Sequence, residues 1–135
     1  MSNKKALLAL DVGEVRIGIA VADTAVRIAI PFITLSVDGD EVKQIARIVL
    51  DQAINTIVVG YPRNQSGETT AQTEYVETFS AGLSDLGPDI VFQDESLTSV
   101  IAEQRLKDRG TSYQKSDIDM EAAVLILQDY MEQKL

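Results

Sequence analysis

Cysteine and histidine are both absent from the 135 residues. Without cysteine there is no disulfide and no thiolate metal site, and without histidine no imidazole base, nucleophile or ligand. Serine–histidine triads and most zinc chemistries are excluded. Any chemistry must come from carboxylates, hydroxyls, amides, Lys, Arg and a hard cation such as Mg2+ or Mn2+. Long apolar runs are missing too: none approaches the roughly 18 residues of a membrane span. Met1-Ser2-Asn3-Lys4-Lys5 passes straight into a strand-like run with no small-residue cleavage site, so neither a signal peptide nor a membrane partner is expected, and the cytoplasm is the expected location. Positive charge is scarce. Lys and Arg number 12 against 21 Asp and Glu, a net charge of −9. Such a chain repels polyanions at long range, which disfavours tight non-specific nucleic-acid binding but leaves room for weak, cation-dependent phosphate binding at a local site.

Hydrophobic content of 45% with 24% charged residues suits one globular domain over residues 1–135. The run Leu7-Leu8-Ala9-Leu10 reads as a strand buried on both faces, and it ends in Asp11-Val12-Gly13, where the glycine permits a sharp return towards Ile17 to Ala22. A carboxylate is thereby fixed at the edge of a rigid core. Leaving it buried and unpaired costs several kcal/mol or forces protonation, so Asp11 calls for a cation, a donor or a wet cleft. Further strands are expected over 15–22 and 27–35, the latter at an edge or bent at Pro31, and then over 55–60 and 89–92. Helices are expected over 39–53, from Thr69 or Thr70 to Leu86, from a Ser96 or Thr98 cap to Asp108, and over 117–133. Two polar loops, 61–68 and 111–116, separate these elements. Three strands followed by alternating helices and strands imply an α/β protein with a mixed five-stranded sheet flanked by helices.

Three acidic residues stand at element ends: Asp11, Glu95 after the last strand and Asp119 early in the final helix. Parallel pairing of the first and last strands would bring Asp11 near Glu95, and the final helix crossing them would add Asp119. Such a set could hold two hard cations, which activate water and stabilise the leaving oxygen in phosphodiester cleavage. Structural roles compete. Asp119 follows Ser116 by three residues, as in a capping arrangement, and Glu95 could serve the N-terminus of the next helix. Asp23, Asp38 and Asp40 read as turn formers, and Asp94 and Asp117 as electrostatic neighbours pointing elsewhere. Arg16, Arg63 and Lys115 are either solubilising charges or phosphate contacts, the last two from loops that would clamp a strand.

Four blocks resemble the YqgF/RuvX family in the right order. They are Leu10-Asp11-Val12-Gly13 with Arg16-Ile17-Gly18 and Ala22-Asp23; Ile57-Val58-Val59-Gly60-Tyr61-Pro62 with Asn64, Gly67 and Gln72; Asp94-Glu95-Ser96-Leu97-Thr98-Ser99; and Lys115 and Asp119 with Ala122 to Gln128. The resemblance implies a ribonuclease H-like fold and a metal-dependent nuclease in which Asp11, Glu95 and Asp119 are catalytic and ligate Mg2+ or Mn2+. It implies 5′-end processing of pre-16S rRNA, with ribosomal precursor particles as possible partners, or resolution of branched DNA as a Holliday junction resolvase. RNA trimming permits a monomer, whereas junction cleavage favours a homodimer. The chain departs from the family pattern at Ser96, where arginine is usual, and at Tyr61, where leucine is usual. Two other readings stay open: a nucleotide-binding domain akin to the actin-like ATPases, and a non-catalytic RNA- or protein-binding module.

Overall fold

The structure is a computed structural model that describes residues 4–95 and 97–135. Ser96, considered above as a helix cap and as a departure from the family pattern, lies outside the described residues, as do residues 1–3. The elements are β1 (Ala6–Val12), β2 (Arg16–Asp23), β3 (Ile30–Ser36), α1 (Glu41–Asp51), β4 (Thr56–Pro62), α2 (Ala71–Ala81), a 3-10 turn (Ser84–Leu86), β5 (Asp89–Glu95), α3 (Thr98–Asp108) and α4 (Lys115–Lys134). They form a mixed five-stranded sheet in the order β3-β2-β1-β4-β5. The first three strands are an antiparallel meander, and β4 and β5 run parallel to β1. Connection lengths explain this: short turns close hairpins, whereas parallel neighbours need a helical crossover.

Strand alternation divides the core in two. Leu8, Leu10, Ile17, Ile19, Ile57 and Val59 face one side, where Ile45 and Val49 of α1 and Val76 of α2 cover them. Leu7, Ala9, Ala20 and Val58 face the other, against Ala123, Ile126, Leu127 and Met131 of α4. This second face is floored by small residues, which lets a 20-residue helix lie close to the strands. The salt bridges of Arg105 and Arg109 to the buried Glu121, at 3.6 and 2.9 Å, fasten α3 to α4.

The structure corrects several expected boundaries. The helix expected to reach Leu86 stops at Ala81, because Gly82 and Leu83 donate to Phe79 and Ser80 three residues back, tightening the turn so that Leu83 enters the core. Thr70 is its cap, in a reciprocal arrangement with Thr73. Strand β5 runs on to Glu95. The final helix begins at Lys115, capped by Gln114 with Asp117 at the third position, so Ser116 and Asp119 do not form the cap. Pro31 does sit on the edge strand, beside a bulge where β3 shifts register against Ile19 and Ala20. Asp23 is a turn former, accepting from the backbone of Ala25 and Val26 at 3.0 and 2.7 Å.

Candidate active site

The alternation that sends Leu7 and Ala9 towards α4 sends Asp11 to the same face. On β5, Gln93 reaches α4 through a 2.9 Å bond to Gln133, and Glu95, two residues on, shares that face. Asp119 lies in the second turn of α4 itself. All three predicted carboxylates therefore converge at one end of the sheet. The expected direct pairing of first and last strands does not occur: β4 runs between β1 and β5, and Pro62 is the partner of Glu95.

Two glycines make the approach possible. Gly18 is the β2 partner of Asp11, and a Cβ placed there would lie 1.9 Å from the Asp119 carbonyl oxygen. At Gly60 of β4 a Cβ would meet Ile126 Cδ1 at 2.6 Å and Glu95 Oε1 at 2.8 Å. Glycine is thus required by close contact at both places, not by backbone angle. Gly13 works similarly, closing the β1–β2 turn with a 3.0 Å bond to Arg16. Sequence reasoning placed Gly18 and Gly60 inside motifs without a role. Their signal was position: each interrupts an apolar strand on the face that also carries a candidate carboxylate.

Crowding the carboxylates has an electrostatic consequence. Burial, with Glu95 and Asp119 adding repulsion, pushes the Asp11 carboxyl up from 3.8 to about 8. Glu95 is also raised by burial, opposed by the Thr98 hydroxyl, which donates to Glu95 Oε2 at 2.6 Å. Thr98 was one of two residues, with Ser96, expected to cap α3. Instead Leu97 occupies the cap position in a left-handed conformation, with φ of 58°, and makes no side-chain cap. The threonine hydroxyl is committed to the carboxylate, a role missed from the sequence. Glu95 therefore has a donor, whereas the Asp11 carboxylate accepts no hydrogen bond among the described residues.

The predicted basic residues are distributed differently. Arg16 Nε binds Asp119 Oδ2 at 2.5 Å, with side chains 36% and 19% exposed, so its charge is already directed at the carboxylates. Arg63 donates to Asp94 at 3.1 Å and to the Gly67 carbonyl at 3.3 Å, and its guanidinium lies 4.8 Å over the Tyr61 ring. Lys115 is the exposed first residue of α4, not part of a loop. A cleft of about 250 Å³ opens over Asp11 and Glu95, walled by Arg63, Gln72 and Thr98. Gln72 is tied to the Val12 carbonyl at 3.2 Å.

Among the described residues no three acidic side chains already form a metal cage. The reason is visible at Asp119, which is turned onto Arg16. The donor chemistry nevertheless fits a hard divalent cation: desolvated oxygen ligands, one without a donor, facing a cleft.

The fold is ribonuclease H-like. The sheet and helices superpose on RuvC of T. thermophilus in complex with a Holliday junction substrate (TM-score 0.59, 12% identity, 95% of this chain and 94% of that one). They also superpose on the fowlpox virus resolvase bound to Holliday junction DNA (TM-score 0.57, 10% identity, 96% and 99%). The family described as RuvX, Holliday junction resolvase, matches residues 5–133, and the chain belongs to it. Its relatives include a protein of Chloroflexus aurantiacus named "Putative pre-16S rRNA nuclease", 42% identical over 96% of this chain and 88% of that one. A Synechocystis protein of the same name is 39% identical over 98% and 90%. The family expectation drawn from the four sequence blocks is thereby met.

Proposed function

We propose that residues 1–135 act as one nuclease domain that hydrolyses phosphodiesters with Mg2+ or Mn2+ held by Asp11, Glu95 and Asp119, and that its substrate is the 5′ leader of pre-16S rRNA. The observation that carries this reading is Asp11, a half-buried, desolvated carboxylate beside Glu95, facing a cleft without a donor. A protein built only for stability would have no use for that repulsion. Divalent cations bound there would supply the charge that neutralises these carboxylates, activates water and stabilises the leaving oxygen.

The chain's own residues set the geometry. Asp11 stands on a rigid strand, and Gly60 leaves room for Glu95. Thr98 holds Glu95 Oε2 through its proton, fixing the carboxylate and favouring its ionised form. Arg16 orients Asp119; were Asp119 to hold a cation, the guanidinium would be available to meet a phosphate oxygen. The rRNA assignment is supported by the names of relatives at 39–42% identity. The excess of negative charge also suits a substrate met at a local site better than one bound along a broad basic face.

Substrate competition tests the assignment. Intact protein with Mn2+ is offered equal amounts of a labelled pre-16S 5′ leader and a four-way DNA junction. Cleavage confined to the leader supports the reading; symmetric cleavage of the junction by a dimer would replace it with resolvase activity.

A further inference from the structure

At the β5 edge, on the sheet face opposite Glu95, Tyr61 and Phe92 meet edge to face, with ring centroids 5.1 Å apart. Phe92 is 42% exposed. The Arg63 guanidinium lies on Tyr61, held there by Asp94 and the Gly67 carbonyl. The result is a fixed aromatic and guanidinium surface, not a loose basic side chain. It borders a hollow of about 330 Å³ in which Arg63 and Lys134 are balanced by Asp94 and Glu77. Charge that cancels locally does not select a phosphate. A flat neutral ring suits it better, since every nucleobase has a face that stacks on aromatic or guanidinium planes.

This hollow shares a wall with the carboxylate cleft. Arg63 walls it, walls the cleft over Asp11 and Glu95, and walls a third hollow that Asp94 and Glu95 also line. Phe92 precedes Glu95 by three residues, so the two side chains leave opposite faces of β5 about 10 Å apart along the strand, and a nucleic-acid strand reaching both would round the sheet edge past Arg63. We infer that Phe92, Tyr61 and the Arg63 guanidinium form a stacking platform for an unpaired base of the bound strand, around the sheet edge from the carboxylate cleft. The enzyme therefore selects single-stranded over duplex nucleic acid. Bases inside a duplex keep their faces stacked on each other and cannot use the platform. This inference rests on the nuclease reading for its location, but stacking is measured by binding and so can be judged separately.

The experiment is fluorescence anisotropy with Ca2+, comparing a short single-stranded RNA, the same RNA as a duplex, and the single strand carrying one abasic position. Intact protein, Phe92→Leu and Tyr61→Leu are compared, with Tyr61→Phe as the ring-preserving control and circular dichroism as the check of folding. The intact protein binds the single strand at least tenfold more tightly than the duplex. Each leucine variant loses about tenfold on the single strand, and Tyr61→Phe loses little. Scanning the abasic position finds one place that costs the intact protein about as much, and costs Phe92→Leu nothing further. Equal binding of duplex and single strand, or folded leucine variants that bind like the intact protein, would overturn the platform. Aromatic-dependent binding without cleavage in Mn2+ would instead refute the nuclease reading and leave the platform standing.

Discussion

Replacing Asp11 with asparagine removes the charge and keeps the shape, and in the metal-free protein it is expected to raise stability at pH 8. The folded carboxyl titrates at about 8 against an ordinary 3.8. Between those values the folded state keeps a proton that the unfolded state has released, so stability falls as pH rises across the window and levels off above about pH 8. At about 1.4 kcal/mol per pH unit, the ceiling is roughly 5–6 kcal/mol. Glu95 titrates beside Asp11 and water reaches the cleft, so the expected gain is smaller, about 1–3 kcal/mol. For a chain of this size that raises Tm by roughly 3–10 °C. Thermal melts in chelator between about pH 5 and pH 9 read the effect: the gap between variant and intact protein widens up to pH 8 and then stays level. Saturating Mn2+ reverses the order, because the intact protein gains an ion that the variant holds poorly. A variant no more stable than the intact protein at pH 8 in chelator would refute the claim that Asp11 is desolvated and repelled.

The glycine contacts separate stability from chemistry. Gly18→Ala drives a methyl to 1.9 Å from a backbone oxygen of α4, which cannot swing aside, and is expected to cost about 3 kcal/mol in urea melts. Gly60→Ala meets only side-chain ends, Ile126 Cδ1 and Glu95 Oε1, and is expected to cost about 1 kcal/mol yet lower cleavage by roughly 10- to 100-fold by displacing Glu95. Equal losses of stability in the two variants would contradict this. Thr98→Val removes the donor that opposes the rise of Glu95, so the Glu95 carboxyl titrates still higher in the metal-free protein, as a carboxyl-carbon NMR titration would show; an unmoved titration would deny the hydroxyl its role.

The elements that the sequence makes most legible are those with a strong periodic signal. The apolar run ending in Asp11 leads to the edge of the core because nothing else suits a strand buried on both sides, and the α1 face of Val42, Ile45 and Val49 packs where its spacing directs it. The three carboxylates were legible as ends of elements, but their mutual placement depends on β4 entering between β1 and β5. Strand order is a long-range property that local pattern does not encode. Helix ends were harder because tertiary contacts decide them: burial of Leu83 tightens the end of α2, and Thr98 serves Glu95 at the expense of capping α3. Arg63 could be read only as a cation from sequence. Its neighbours Tyr61 and Asp94 turn it into a fixed plane, and they come from separate strands joined by the β4–β5 register.

The central claim is that Asp11 belongs to a metal-dependent nuclease centre, and cleavage tests it most directly. Intact protein and Asp11→Asn, purified side by side, are incubated with labelled single-stranded RNA in Mn2+ at low salt, and again in chelator. Cleavage by the intact protein in Mn2+ alone is expected, with a loss of at least a thousandfold in a folded Asp11→Asn if that carboxylate holds the cation. Equal cleavage by both proteins, or cleavage that persists in chelator, would contradict it.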